Sequence, residues 1–218
     1  MNTLYVDGRR AALPGASSLP MTVFIVDDDV SVREAIESLL QHEGYEVKSF
    51  VRADAFLEQP EVTGASCLLL DIGLPGLTGL ELQKTLSVER PAMPIIFVTG
   101  RRDAPTVVRA MKAGAVEFLT KPFEDDALLD AVRAAIERSE GLVVRERRKA
   151  AIKHKYRELT PREREVLSLI LRGFLNREIG DELGISEITV KAHRGQVMRK
   201  MEAESLADLI HMAGDGEI

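Results

Sequence analysis

Leu68-Leu69-Leu70-Asp71-Ile72-Gly73-Leu74-Pro75-Gly76 is an apolar run that ends in a carboxylate and then breaks into Gly and Pro. A short apolar run closed by turn residues reads as a buried parallel strand entering a loop. Asp71 then projects from the strand's carboxyl end, where open α/β sheets build their sites. A second run, Val23-Phe24-Ile25-Val26, delivers Asp27-Asp28-Asp29 in the same way. Two strand ends that bring carboxylates to one crevice make a cation site.

The surrounding residues repeat the pattern. Ser31–His42 carries Val32, Ala35, Ile36, Leu39 and Leu40 at helical spacing. Tyr45–Phe50 reads as a strand and Ala53–Leu57 as a short helix. Ser66–Asp71 is the third strand, and Gly79–Val88 is helical through Leu80, Leu82 and Leu86. Pro94–Val98 is the fourth strand, Ala104–Lys112 a helix stopped at Gly114, and Val116–Leu119 the fifth strand. Glu124–Arg138 closes the series with Leu128, Leu129, Val132 and Ile136 as its buried stripe. Five βα units with near-continuously apolar strands predict a doubly wound, five-stranded parallel α/β sheet of flavodoxin-like order 2-1-3-4-5. In that order strands one and three meet at the switch point, so Asp27, Asp28 and Asp71 come together.

The second half has no strand signal. Thr160-Pro161-Arg162-Glu163 is a helix start, with a cap residue, Pro at the first helical position and Glu at the third. Val166, Leu167, Ile170 and Leu171 give its apolar face. Asn176–Leu183 is a short helix stopped by Gly184. Ser186 caps a longer one, Glu187–Met201, with Ile188, Val190, Val197 and Met201 expected to face inward, and Leu206–Met212 closes a small all-α domain. A short helix, a tight turn and a longer basic helix form a helix-turn-helix pattern. The expected organisation is a disordered extension over 1–20, a sheet domain over 21–139, a charged linker over 140–157 that can extend the preceding helix, and a helical domain over 158–218.

The 218 residues allow two modest domains. The formal net charge of −6 gives no whole-chain sign of nucleic-acid binding, but the charge is unevenly placed. Arg145, Arg147, Arg148, Lys149, Lys153, Lys155 and Arg157 face a lone Glu146, and Thr189–Met201 contains Lys191, Arg194, Arg199 and Lys200 with no acid. Cys67 is the only cysteine, so no internal disulfide forms, which suits a cytoplasmic protein. No run approaches the roughly 20 apolar residues needed to span a bilayer, and no membrane partner is expected.

An aspartate accepts a phosphoryl group only if charge repulsion is relieved. Mg²⁺ does this by bridging carboxylate and phosphoryl oxygens, and it prefers oxygen ligands. The phosphoryl group also needs a cation and hydrogen-bond donors, which Lys121 after strand five and Thr99 at the end of strand four supply. Taken singly these residues say little. An Asp-Asp-Asp run is most often a solvated face or a helix cap, a strand-end Thr is most often structural, and Lys121-Pro122 is most often a turn, although a cis bond there would aim the lysine. Together they terminate strands one, three, four and five in order.

Ile25-Val26-Asp27-Asp28-Asp29, Asp71 with Leu74-Pro75-Gly76, Val98-Thr99-Gly100 and Phe118-Leu119-Thr120-Lys121-Pro122-Phe123 resemble the receiver domains of two-component response regulators. The resemblance covers Thr22 to about Ser139. It implies that a sensor histidine kinase phosphorylates Asp71. Asp27 and Asp28, with Asp71 and the backbone carbonyl of Gly73, match the Mg²⁺ ligands. Thr99 and Lys121 match the phosphoryl-contacting pair, and Phe118 matches a switch aromatic that moves with Thr99, a position where core packing is the plain alternative.

Leu159-Thr160-Pro161-Arg162-Glu163, Val166-Leu167, Asn176-Arg177-Glu178-Ile179, Leu183-Gly184-Ile185-Ser186 and Thr189-Val190-Lys191-Ala192-His193 resemble the LuxR/FixJ-type helix-turn-helix domain, over Tyr156 to Ala213. The resemblance implies double-stranded DNA as a partner, with Lys191, Ala192 and Arg194 at base edges and Asn176, Arg177, Thr189 and His193 near the backbone. Gly195 departs from it, because relatives often carry a polar or basic base-reader there. A packed or capping role is the alternative for His193.

The expectation is a phosphorylation-switched transcription regulator rather than an enzyme. It would dimerise when phosphorylated or on DNA, through Val107, Val108 and Met111 or the Leu206, Leu209, Ile210 and Met212 stripe, with RNA polymerase a further partner that the resemblance allows. Three alternatives stay open: a DNA-binding regulator whose receiver responds to a partner instead of phosphate, an aspartyl-phosphate hydrolase of small molecules, and an interaction module without DNA function.

Overall fold

The computed structural model describes residues 21–60, 62–100 and 103–216. The expected extension over 1–20 lies outside them. The chain divides into two compact units, Met1–Val143 and Val144–Ile218.

In the first unit β1 (Thr22–Val26), α1 (Val30–His42), β2 (Glu46–Phe50), α2 (Ala53–Leu57), β3 (Ser66–Leu70), α3 (Gly79–Glu89), β4 (Ile95–Thr99), α4 (Ala104–Lys112) and β5 (Glu117–Thr120) follow one another, then α5 (Asp125–Arg157), whose residues from Val144 onward belong to the second unit. The sheet is parallel with order β2-β1-β3-β4-β5, as the strand pattern predicts. The central strands β1, β3 and β4 are buried along their whole length because helices cover both faces.

Strand side chains alternate between the faces. Phe24, Val26, Leu68, Leu70 and Phe97 pack with Phe56, Leu82, Leu86 and Ala110 of α2, α3 and α4. Val23, Ile25, Cys67, Leu69, Ile96 and Val98 pack with Ile36, Leu40, Leu128, Val132 and Ile136 of α1 and α5. Ala35, expected on the buried stripe of α1, is exposed, because Ile36 and Leu40 already fill that side. At the amino end of the strands Ser139 is fully buried; its Oγ accepts from the Ser66 N–H at 3.0 Å and donates to the Ala92 carbonyl at 2.7 Å. Residues 140–157 are helical and continuous with the preceding helix.

Cys67 is fully buried, and loss of water pushes its thiol up to about 12. A native sample is therefore expected to resist a thiol-specific disulfide reagent at pH 8 for as long as the sheet stays closed. It should react fully in denaturant, and prompt reaction under native conditions would contradict the burial.

The second unit contains α6 (Pro161–Leu171), α7 (Asn176–Leu183), α8 (Glu187–Met201) and α9 (Leu206–Gly216). α6 starts with the predicted capping box: Thr160 Oγ1 accepts from the Glu163 N–H at 3.3 Å, and the Glu163 carboxylate from the Thr160 N–H at 2.7 Å. The core gathers Val166, Leu167, Leu169, Ile170, Ile179, Val190, Val197, Met201 and Leu209. Of the expected C-terminal stripe, Leu209 is buried and Met212 half-buried, while Leu206 and Ile210 are exposed.

The turn between α7 and α8 depends on two glycines. Gly184 has φ 65°, a left-handed conformation that favours glycine. At Gly180 an added Cβ would lie 2.8 Å from the Ile185 carbonyl oxygen, and the Ile185 N–H donates to the Gly180 carbonyl at 3.0 Å. The two backbones touch, so the angle between the helices is fixed by main chain.

Ile188 corrects the sequence reading: it is 79 % exposed, not inward-facing. The core side of α8 is set by Val190, Val197 and Met201 at i, i+7 and i+11. Ile188, two residues before Val190, lies about 200° round the helix from it.

Burial alone would raise the Glu163 carboxyl, but Lys200 at 2.7 Å and the Thr160 N–H outweigh it and hold it below the ordinary glutamate range. A lowered folded-state value means stability that is present above the unfolded value, near pH 4.3, and lost as pH falls through the folded one. The helical unit should therefore lose thermal stability below about pH 4. Glu163→Gln should flatten that dependence in melts recorded from pH 7 to 3.

Candidate functional site: an acidic pocket and a helix-turn-helix face

The three aspartates after β1 have three different settings. Asp29 caps α1, its carboxylate accepting from the Ser31 and Val32 N–H groups at 2.9 and 3.3 Å. Asp28 is exposed. Asp27 is 2 % exposed and points into the pocket, where its Oδ1 accepts from the Asp29 N–H at 3.0 Å.

Asp71 is 9 % exposed. Its N–H donates to the Val26 carbonyl at 2.9 Å, which holds it beside β1, and its Oδ1 accepts from the Gly73 N–H at 3.1 Å. Asp27, Asp28 and Asp71 each offer a carboxylate oxygen within 4.8 Å of the others. An all-oxygen, carboxylate-rich set fits a hard divalent cation such as Mg²⁺.

Lys121 closes the pocket from β5. Its ammonium lies 2.5 Å from Asp27 Oδ2 and 3.7 Å from Asp71 Oδ2. Burial pushes the Asp27 carboxyl up, and the hydrogen bonds from Lys121 and the Asp29 N–H only partly offset it. The Lys121–Pro122 bond is cis. The Lys121 N–H donates to the Thr99 carbonyl at 2.9 Å, so the two residues sit side by side at the ends of β4 and β5. Thr99 is 1 % exposed. Phe118 is half-buried opposite Phe97, with ring centroids 6.3 Å apart.

Two neighbours carried no sequence signal. The Arg33 guanidinium donates to the Asp27 carbonyl at 2.8 Å, fixing the chain where β1 ends. At Gly79, the first residue of α3, a Cβ would lie 2.3 Å from the Asp71 carbonyl oxygen. Glycine there lets α3 start directly against the backbone of Asp71. The Gly79 N–H donates to the Ile72 carbonyl at 3.3 Å.

On the helix-turn-helix, Lys191 and Ala192 are exposed on α8, while Thr189, His193 and Arg194 are half-buried toward its flanks. Lys191 pairs with Glu187 at 3.0 Å. Met198 is half-buried against the core of the helical unit. Arg177 is exposed at the start of α7. Asn176 is half-buried, and its Oδ1 is sealed from solvent without a hydrogen-bond partner among the described residues. No helix among the described residues is long and apolar enough to cross a membrane.

Residues 23–133 match the family described as Response regulator receiver domain, and residues 157–213 match Bacterial regulatory proteins, luxR family. Nodulation protein W of Bradyrhizobium diazoefficiens is 48 % identical over 90 % of this chain and 87 % of that protein. Transcriptional regulatory protein FixJ of Azorhizobium caulinodans is 41 % identical, covering 90 % of this chain and 92 % of that one. Among solved structures, the response regulator StyR, at 44 % identity, superposes with a TM-score of 0.77 over 89 % of this chain and 98 % of that chain.

Proposed function

This chain belongs to the two-component response regulators that join a receiver domain to a LuxR-type DNA-binding domain, and from that premise we propose that Asp71 is its phosphoryl acceptor and α8 its reading helix. The observation that carries the first part is the convergence of Asp27, Asp28 and Asp71 with Lys121 beside Thr99.

A sensor histidine kinase presents a phosphohistidine. An Asp71 carboxylate oxygen attacks phosphorus, the P–O bond forms, the P–N bond breaks, and the imidazole nitrogen keeps the electron pair. Asp27, Asp28, Asp71 and the Gly73 carbonyl would hold Mg²⁺, which when bound offsets repulsion between carboxylate and phosphoryl oxygens. Lys121, already within 3.7 Å of Asp71, trades its bond to Asp27 for one to a phosphoryl oxygen. The Thr99 hydroxyl donates to another. Phe118 turns further against Phe97 as Thr99 moves. The surface of α4 changes with it, where Val108 and Met111 are exposed and Val107 half-buried.

That surface then pairs two receivers, and two copies of α8 meet half-sites about 34 Å apart. Doubling offsets the narrowness of the basic surface on a helical domain whose acids outnumber its bases. A near-complete switch requires the modified state to favour the active form by about 5.5 kcal/mol. RNA polymerase is engaged by the DNA-bound dimer.

The test is footprinting of genomic DNA by the intact chain before and after treatment with acetyl phosphate and Mg²⁺. Phosphorylation should sharpen discrete paired footprints; footprints that ignore it would overturn the switch. Lys191→Ala and Arg194→Ala should each weaken specific binding by roughly 5- to 150-fold. Unchanged affinity in both would remove α8 as the reading helix.

A further inference from the structure

The exposed side of α8 carries two features that the fold does not explain. Ile188 leaves a large, β-branched apolar side chain 79 % exposed. Gly195 sits in the interior of a 15-residue helix, where glycine weakens the helix relative to alanine. A Cβ there would meet nothing within 4 Å, and its φ is not in the left-handed region, so neither packing nor backbone geometry requires glycine. Ile188, Ala192 and Gly195 stand at i, i+4 and i+7, which places them in one row along the helix. All three are exposed, as is Lys191 beside them. The row is apolar at one end, small in the middle and bare at the other.

A surface with this profile suits a partner that comes close to the helix and offers a small apolar group next to negative charge. In the major groove only thymine offers an apolar group, its C5-methyl, and phosphates flank it. We propose that Ile188, seated beside Ala192 and admitted by the missing side chain of Gly195, reads a thymine methyl in each half-site. The assignment rests on α8 being the reading helix. It makes Ile188 a specificity residue that the basic side chains of α8 cannot replace, because a lysine or arginine reads guanine by hydrogen bonds.

The test uses the intact chain and duplexes enriched from a randomised library. Each thymine of the enriched site is then replaced in turn by uracil, which removes only the methyl. One thymine per half-site should be methyl-sensitive, with uracil weakening binding about four-fold, the scale of one buried methyl. Ile188→Ala should bind the thymine and uracil duplexes equally, near the wild-type affinity for uracil, and Ile188→Val should keep part of the discrimination. Because Ile188 is 79 % exposed, both variants should melt like wild type. Enrichment of a site in which no thymine methyl matters would overturn the proposal and leave the DNA reading intact. So would methyl sensitivity that survives Ile188→Ala. Failure to enrich any sequence would overturn the reading of α8 itself, and the proposal with it.

Discussion

Asp71→Asn should take up no phosphoryl group from acetyl phosphate or from a kinase, and its affinity for DNA should no longer respond to either. The amide is nearly isosteric with the carboxylate, and its oxygen can still accept from the Gly73 N–H, now at 3.1 Å, so the loop after β3 should keep its shape. What is lost is the nucleophilic oxygen, and the rate of labelling should fall more than about a thousand-fold, the scale seen when a nucleophile is removed. The variant should be no less stable than wild type, because one of three clustered carboxylates has gone and Lys121 still pairs with Asp27 at 2.5 Å. Labelling with radioactive acetyl phosphate, with melting as the control, separates the outcomes. A folded Asp71→Asn protein that still carries label would move the acceptor elsewhere.

Gly79→Ala should be the most damaging single-methyl change in the receiver. The new Cβ would lie 2.3 Å from the Asp71 carbonyl oxygen, 3.0 Å from Ile72 Cα and 3.1 Å from the Asp71 carbonyl carbon. All three atoms are backbone, so no side chain can rotate out of the way. Either α3 shifts away from the sheet or the loop after β3 moves. Overpacking of this kind destabilises by about 3 kcal/mol, which urea unfolding would read as a lower midpoint with little change in slope. Phosphorylation should also slow, since the displaced atoms belong to Asp71, the proposed acceptor. Gly141→Ala is the matched control: a Cβ there meets nothing within 4 Å, and α5 should gain stability from it. Equal unfolding midpoints for Gly79→Ala and wild type would contradict the close approach.

The sheet was legible in the sequence because its central strands are buried on both faces and therefore read as uninterrupted apolar runs ending in polar residues. That signal carried strand order, the two cores and the meeting of Asp27, Asp28 and Asp71. The different settings of Asp27, Asp28 and Asp29 were not separable, since the split comes from where β1 stops and α1 begins. The grip of Lys121 on Asp27 depends on a side-chain position that spacing does not encode. Gly79 looked like an ordinary helix start, because a backbone-to-backbone approach leaves no pattern. Ile188 was misread for a different reason. A basic helix with few apolar residues has too weak a periodicity to say whether Ile188 is inside, and the valines and Met201 decide it.

The contact of Gly180 with the Ile185 carbonyl has an evolutionary corollary. α8 is mounted by main chain at one end and by Val190, Val197 and Met201 along its inner side, and its outward residues carry no part of that attachment. With α8 as the proposed reading helix, substitutions at Ile188, Lys191, Ala192 or Gly195 would change which operators are recognised and leave the attachment of the helix intact. On that reading, lineages descended from a common ancestor would exchange target genes by drift at a handful of codons, each intermediate keeping the fold.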